Sequence, residues 1–254
     1  MVSNFVIFTR GRTGSTTIRT ELDSHFKIVC HGELFHPQTA EQLKAKFALD
    51  PAPYDVFKKR VGDSDTEYYE RYLREVIKSS RRQKPDAIVG FKLLYGQATA
   101  HKRKRFLRIL SRQGFVFLHL IRRNTVRQAV SSMVAHKRGK FNAKKKNWSA
   151  PAERYELDTM DFIRRVNKYS GVVEKNRMLL SDQKCLEIYY EDYCGERDAF
   201  FSRIFDFLGI ERFDLAPTEY SVMTDRNLQN VVKNFEELRQ ATRTLGLEHM
   251  LEAP

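Results

Sequence analysis

The chain has 254 residues, 41% hydrophobic and 30% charged, with a net charge of +13. That length suits one large α/β core, and the composition fits an ordinary soluble globular protein. No apolar run approaches the ~18 residues of a membrane span, and three cysteines without C-x-x-C spacing make neither a disulfide framework nor a zinc site. The charge predicts an anionic ligand or partner, without choosing among nucleotide, nucleic acid or acidic surface.

The run Phe5-Val6-Ile7-Phe8-Thr9 predicts a buried strand, and Arg10-Gly11-Arg12-Thr13-Gly14-Ser15-Thr16-Thr17 a tight turn opening a helix over Thr13–Asp23. Such a turn gathers backbone N–H groups, hydroxyls and a guanidinium around a small volume, which suits a phosphate or sulfate. A nucleotide triphosphatase loop requires G-x-x-x-x-G-K-[ST]. Here Ser15 follows Gly14 and the cation, Arg12, precedes that glycine, so the loop departs from the ATPase and kinase pattern.

Further along, Lys27–His31 predicts a second strand leading into Gly32-Glu33, and Thr39–Phe47 a helix broken by Pro51 and Pro53. Thr66–Arg81 reads as a charged amphipathic helix, Ala87–Leu94 as a strand and Ala98–Ser111 as a basic helix. Phe115–Ile121 (FVFLHLI) is the clearest strand, followed by a helix over Thr125–His136 and a cationic loop, Lys137–Lys146. That loop reads equally as a lid or as a solvated connection. The remaining elements are a helix over Asp158–Leu180, a strand over Cys185–Tyr190, a helix over Arg197–Leu208 stopped by Gly209, and a helix near Phe235–Leu245. Alternating strands and helices predict a single domain over 1–254 with a mainly parallel central sheet covered on both faces. Insertions at 37–85 and 138–157 are candidate acceptor-binding segments. Ligands of such sheets lie at the carboxyl ends of the strands, so the first loop, Glu33, Lys92–Gln97 and Arg122-Arg123 should converge.

Arg123, Arg127 and Ser131 recur at steps of four after the best strand, which would put two guanidiniums and a hydroxyl on one flank for a second phosphate. The alternative is a solvated helix start. Lys92, in an apolar strand, either snorkels to a helix face or serves near Glu33. His119 reads as a core histidine, the pairs Tyr68-Tyr69 and Tyr189-Tyr190 as packing, and Glu191-Asp192 as a helix cap. Arg226 and Lys233 in the tail are further cations of undecided reach.

Together, RTGST at Arg12–Thr16 and RRNTVRQAVS at Arg122–Ser131 resemble the sulfotransferases that use 3′-phosphoadenosine 5′-phosphosulfate. The wording of the second motif and the Gly32-Glu33 pair look closest to the bacterial trehalose and nodulation-factor branch. The resemblance is sharp over residues 5–37 and 87–136. It implies a P-loop-like sulfotransferase fold in which Arg12, Thr13, Gly14, Ser15 and Thr16 hold the 5′-phosphosulfate, and Arg123 and Ser131 the 3′-phosphate. Arg12 stands where many relatives have lysine. Glu33 would be the general base, with His31 the competing candidate and His36 the third. A carboxylate among cations is ordinarily held ionised and can accept a proton at neutral pH. The resemblance further implies adenosine 3′,5′-bisphosphate as product, no required metal, and a small-molecule or carbohydrate acceptor with a hydroxyl or amine. The short first apolar run, the lack of a long apolar segment and the unpaired cysteines read as a cytoplasmic chain, expected to have no nucleic-acid or membrane partners. The alternatives are an ATP-using P-loop kinase and a basic, non-catalytic nucleic-acid-binding protein, the latter suggested by HKRKR at His101–Arg105.

Overall fold

A computed structural model describes residues 4–36, 64–97, 100–142, 144, 153–220 and 224–252, with backbone only over 64–68 and 100–102. Its strands are β1 (Asn4–Thr9), β2 (Ile28–His31), β3 (Ile88–Leu94), β4 (Phe115–Ile121) and β5 (Cys185–Tyr189). Its α-helices are α1 (Ser15–Asp23), α2 (Ser64–Gln83), α3 (Ala100–Arg112), α4 (Thr125–Arg138), α5 (Thr159–Leu180), α6 (Tyr190–Gly195), α7 (Arg197–Leu208) and α8 (Phe235–Thr244). The helix expected over Thr39–Phe47 lies outside the described residues.

The five strands pair in the order β2-β3-β1-β4-β5, all parallel. Every residue of β4 is buried, which is why its seven apolar-rich positions read so plainly as a central strand. Alternate residues face opposite layers. Val6, Phe8, Val89, Phe91, Phe115 and Phe117 pack under α2, α3 and the end of α5. Phe5, Ile7, Ile28, Val116, Leu118 and Ile188 pack under α1 and α7. Each large side chain so buried contributes about 1.5–3 kcal/mol, before conformational entropy is set against it. Gly90 pairs with Phe5 across the β1–β3 ladder, and a Cβ there would lie 2.2 Å from the Phe5 ring, so the tight strand contact demands glycine. A third cluster joins α4, the start of α5 and α8 with Leu228, Val231 and Val232.

β1 lies between β3 and β4, where the chain's order along the sheet reverses. Segments leaving the carboxyl ends of β1 and β4 therefore flank a crevice, the ordinary ligand position of such sheets. The boundaries of the described elements fall within two residues of the expected ones, and Tyr190 begins the short α6 instead of ending β5. Among the described residues no helix is long and apolar enough to cross a membrane, and the three cysteines carry free thiols.

Candidate active site

The turn after β1 is tied down from behind. Thr13 Oγ1 donates to the Arg10 carbonyl (3.0 Å), Gln128 Nε2 to that of Gly11 (2.8 Å) and Arg122 Nη1 to that of Arg12 (3.2 Å). With three successive carbonyls taken by protein donors, the turn leaves its amides for a ligand. Gly14, at φ 72°, is the N-cap of α1 without a side-chain cap, and the first turn of that helix holds no acidic residue. Both features leave the positive end of α1 to an anion. Arg12 also takes a positive φ, 68°, a conformation that costs a non-glycine residue about 1–2 kcal/mol and clusters at functional turns.

Two arginines converge on this turn. Arg12 Nε donates to Ser131 Oγ (3.0 Å), and its Nη1 donates to the carbonyl of Phe141. The cationic segment after α4 thus starts by folding back over the turn. Arg122 lies with its Cζ 4.8 Å from the Tyr190 ring centroid, and its Nε is buried without a hydrogen-bond partner among the described residues. Burial, and then the charge of Arg122, push the Arg12 pKa down to about 10, and burial likewise lowers that of Arg122. Neither guanidinium makes an ion pair among the described residues. Such a crowded pair of cations is relieved by a bound anion.

Thr16 links the turn to the next strands. Lys92 Nζ donates to Thr16 Oγ1 (3.3 Å) and pairs with Glu33 Oε1 (2.8 Å), while Gln97 Nε2 donates to Glu33 Oε2 (2.7 Å). Lys92 is 8% exposed, and its ammonium meets both Glu33 and Thr16 on the first turn of α1, so both expected readings are realised at once. Glu33 keeps spare lone pairs on both oxygens, so it can still accept a proton. β2 ends at His31, two residues before Glu33. The His31 Nε2 bonds to Ser80 Oγ of α2 (2.8 Å), whereas Glu33 turns to Lys92 and Gln97. His36 closes the turn through its amide on the Glu33 carbonyl (2.8 Å).

The arginine row expected after β4 is divided. α4 starts at Thr125 with Asn124 as N-cap, its Oδ1 accepting from the Arg127 amide (2.9 Å). Arg123 therefore precedes the helix and is not in register with it. Its Nη1 donates to Asp192 Oδ1 (2.7 Å), and its Cζ lies 3.6 Å from the Tyr189 ring centroid. Arg127 is a staple for the tail, its Nη2 donating to the carbonyls of Arg226 and, at 3.0 Å, Leu251. Ser131 reaches the site, accepting from Arg12 and from Thr224 Oγ1 (3.2 Å). Glu191 accepts from the amides of Arg123 and Asn124 (3.1 and 3.0 Å), so it caps the approach to α4 and not the helix after it. Thr13 points inward, sharing a 2.8 Å bond with Thr9 Oγ1, and serves the turn's shape.

Tyr190 reads as packing in the sequence, yet its ring forms a wall of the site. A Cβ on Gly14 would lie 2.4 Å from two Tyr190 ring carbons. No local signal announces this, because the two residues meet only through the β4–β5 layer. His119 behaves as expected of a core histidine. Tyr95 Oη meets its Nε2 (2.6 Å) and Glu187 Oε1 its Nδ1 (3.3 Å), which assigns the proton to Nδ1. Burial, opposed by Glu187, pushes the His119 pKa down to about 4. Burial works against Glu187's charge, but hydrogen bonds from Arg177 and Tyr189 bring its pKa down to about 2. Below the unfolded value of His119, 6.5, the unfolded chain binds a proton that the native state refuses until about pH 4. Stability is thus lost as pH falls through that window. Urea unfolding is expected to show about 2 kcal/mol less stability at pH 5 than at pH 7 from this group. His119→Gln should remove that part of the slope, and an unchanged slope would contradict the assignment.

Among the described residues no group of acidic, histidine or cysteine side chains has metal-binding geometry. Solved structures similar to the chain include a sulfotransferase from Alicyclobacillus acidocaldarius, with 18% identity, a TM-score of 0.47 and coverage of 100% of this chain and 97% of that one. The sulfotransferase domain from the curacin biosynthetic pathway has 14% identity and a TM-score of 0.46, covering 84% and 76%. A sulfotransferase from Mycobacterium avium has 11% identity and a TM-score of 0.45, covering 96% and 76%. No curated protein sequence matches the chain. The model of the sulfotransferase family matches residues 5–214, and the chain belongs to that family.

Proposed function

We propose that this sulfotransferase moves a sulfuryl group from 3′-phosphoadenosine 5′-phosphosulfate to a hydroxyl or amine of a small-molecule or carbohydrate acceptor, with Glu33 as general base. The observation that carries the reading is the connected chain Thr16–Lys92–Glu33, which ties an anion-binding turn to a carboxylate through one buried ammonium. The half-buried cations Arg12 and Arg122 and the uncapped start of α1 fit the doubly anionic 5′ end of such a donor.

The donor supplies an activated sulfuryl group on a phosphate leaving group. Gly14, Ser15 and Thr16 offer helix-terminal N–H groups to that phosphate, and Arg12 places a guanidinium where negative charge grows as the bond breaks. Lys92 sits between the turn and Glu33, so one cation serves both the departing charge and the orientation of the base. Glu33 takes the proton of the attacking hydroxyl, and Gln97 fixes its second oxygen. Arg123 and Ser131 are assigned to the 3′-phosphate by the resemblance of RRNTVRQAVS, and the bond from Arg12 Nε to Ser131 Oγ links that residue to the 5′ side of the site. Carbohydrate stands first among acceptors only by resemblance to the trehalose and nodulation-factor branch. The kinase alternative lacks the lysine after the second glycine, and the basic run HKRKR at His101–Arg105 holds no phenylalanine, tyrosine or tryptophan for stacking on nucleic acid.

Arg12→Ala is expected to lower kcat/KM for a labelled donor by about 10²–10³, with Arg12→Lys recovering part of the loss. Label transfer across an acceptor panel, with release of adenosine 3′,5′-bisphosphate, is the readout. Transfer unaffected by Arg12→Ala, or seen only with ATP and magnesium, would reject this assignment.

A further inference from the structure

Arg123 is a guanidinium with two partners and a third group competing for one of them. One face rests on Tyr189, and one edge donates to Asp192 at 2.7 Å. Asp192 is shared: its other oxygen lies 3.5 Å from Arg203 Nη1. Tyr189 is itself anchored, its hydroxyl donating to Glu187 Oε2 (2.8 Å), and Arg177 donates to the same carboxylate (2.6 and 3.0 Å). The aromatic platform is therefore fixed from below, while the Arg123–Asp192 pair is half open to solvent, with side-chain exposures of 52% and 29%. Exposed pairs of this kind are weak and easily exchanged.

Resting on the assignment of Arg123 to the 3′-phosphate, we propose that Asp192 is a displaceable counter-ion for Arg123. The carboxylate occupies the guanidinium edge that a phosphate would take. A 3′-phosphate recruits Arg123 from it, and Arg203 retains Asp192 when Arg123 leaves. Since Tyr189 holds the guanidinium plane throughout, the exchange needs only a change of partner at its edge. The consequence is a site whose affinity for 3′-phosphorylated nucleotides is held below its maximum, and whose bisphosphate product is released faster. A nucleotide with a 3′-hydroxyl does not carry the charge to break the pair, so Asp192 affects it little.

The test is calorimetric titration with adenosine 3′,5′-bisphosphate and with AMP, alongside stopped-flow measurement of bisphosphate release. Asp192→Asn is expected to tighten bisphosphate binding about three- to tenfold, mostly by slowing release, and to leave AMP binding unchanged. The gain should vanish in an Arg123→Ala background. Arg203→Gln, which removes the second partner of Asp192, should act oppositely and weaken the bisphosphate about two- to threefold. The second variant keeps the test available if Asp192→Asn folds poorly. Wild-type binding that neither substitution shifts, or an equal gain for AMP, overturns the counter-ion role alone. Failure of the wild type to bind bisphosphate overturns both this role and the donor assignment beneath it.

Discussion

Glu33→Gln is expected to lower turnover by about 10²–10⁴ while bisphosphate affinity stays close to that of the wild type. Glutamine keeps the volume and one carbonyl oxygen, so the bond from Gln97 and the turn around the His36 amide have the means to persist. What disappears is the capacity to take a proton from the acceptor, and the loss falls on kcat. Lys92, 8% exposed, loses its carboxylate partner and stays beside Thr16, an arrangement that favours a bound anion. Binding and turnover should therefore separate, as they would not if Glu33 only held the fold. His31→Asn is the contrast. Its ring is engaged with Ser80 on α2, and the substitution is expected to cost far less turnover. Near-normal rates in Glu33→Gln would instead move the base elsewhere and make His31 the next residue to test.

Gly14→Ala is expected to reduce bisphosphate affinity at least about 100-fold and stability by about 1–3 kcal/mol. Two independent costs meet at this position. The backbone stands at φ 72°, unfavourable for any side chain, and the new methyl group would lie 2.4 Å from the Tyr190 ring. Relief by moving Tyr190 would disturb the ring against which Arg122 lies. Adding Tyr190→Ala should return part of the stability by removing the clash, while the backbone cost remains. Thermal unfolding and titration of the single and double variants separate the two contributions. A fully stable, fully binding Gly14→Ala protein would show that the turn is not the close-fitting cradle described here.

The fold was legible wherever the signal was local. FVFLHLI lies between Gly114, at φ 80°, and the polar start of the next segment, and β4 occupies those seven residues. Gly209, at φ 71°, stops α7 where expected. The order of strands was not legible, because it follows from how helices pack across the sheet. In the site, RTGST reads plainly because a turn, a helix start and its cations are contiguous. Lys92 lies near the end of β3 and Glu33 just beyond β2, so the rule that ligands sit at the carboxyl ends of strands predicted their approach, but not that the ammonium joins Thr16 to the carboxylate. The spacing of Arg123, Arg127 and Ser131 misled for a specific reason. Steps of four hold only within a helix, and the helix starts after Asn124, whose ψ of 84° breaks the register. Tyr190 was missed because its role depends on Gly14, distant in sequence, and on β5 ending one residue sooner.

Calorimetric titration of the wild-type protein with adenosine 3′,5′-bisphosphate, without magnesium and against AMP and ATP, decides whether the turn after β1 and the start of α4 form a donor site. Saturable binding of the bisphosphate is expected, with much weaker binding of AMP and loss of the difference in Arg123→Ala and Ser131→Ala. No binding of the bisphosphate, or preference for ATP once magnesium is added, would contradict a donor site there.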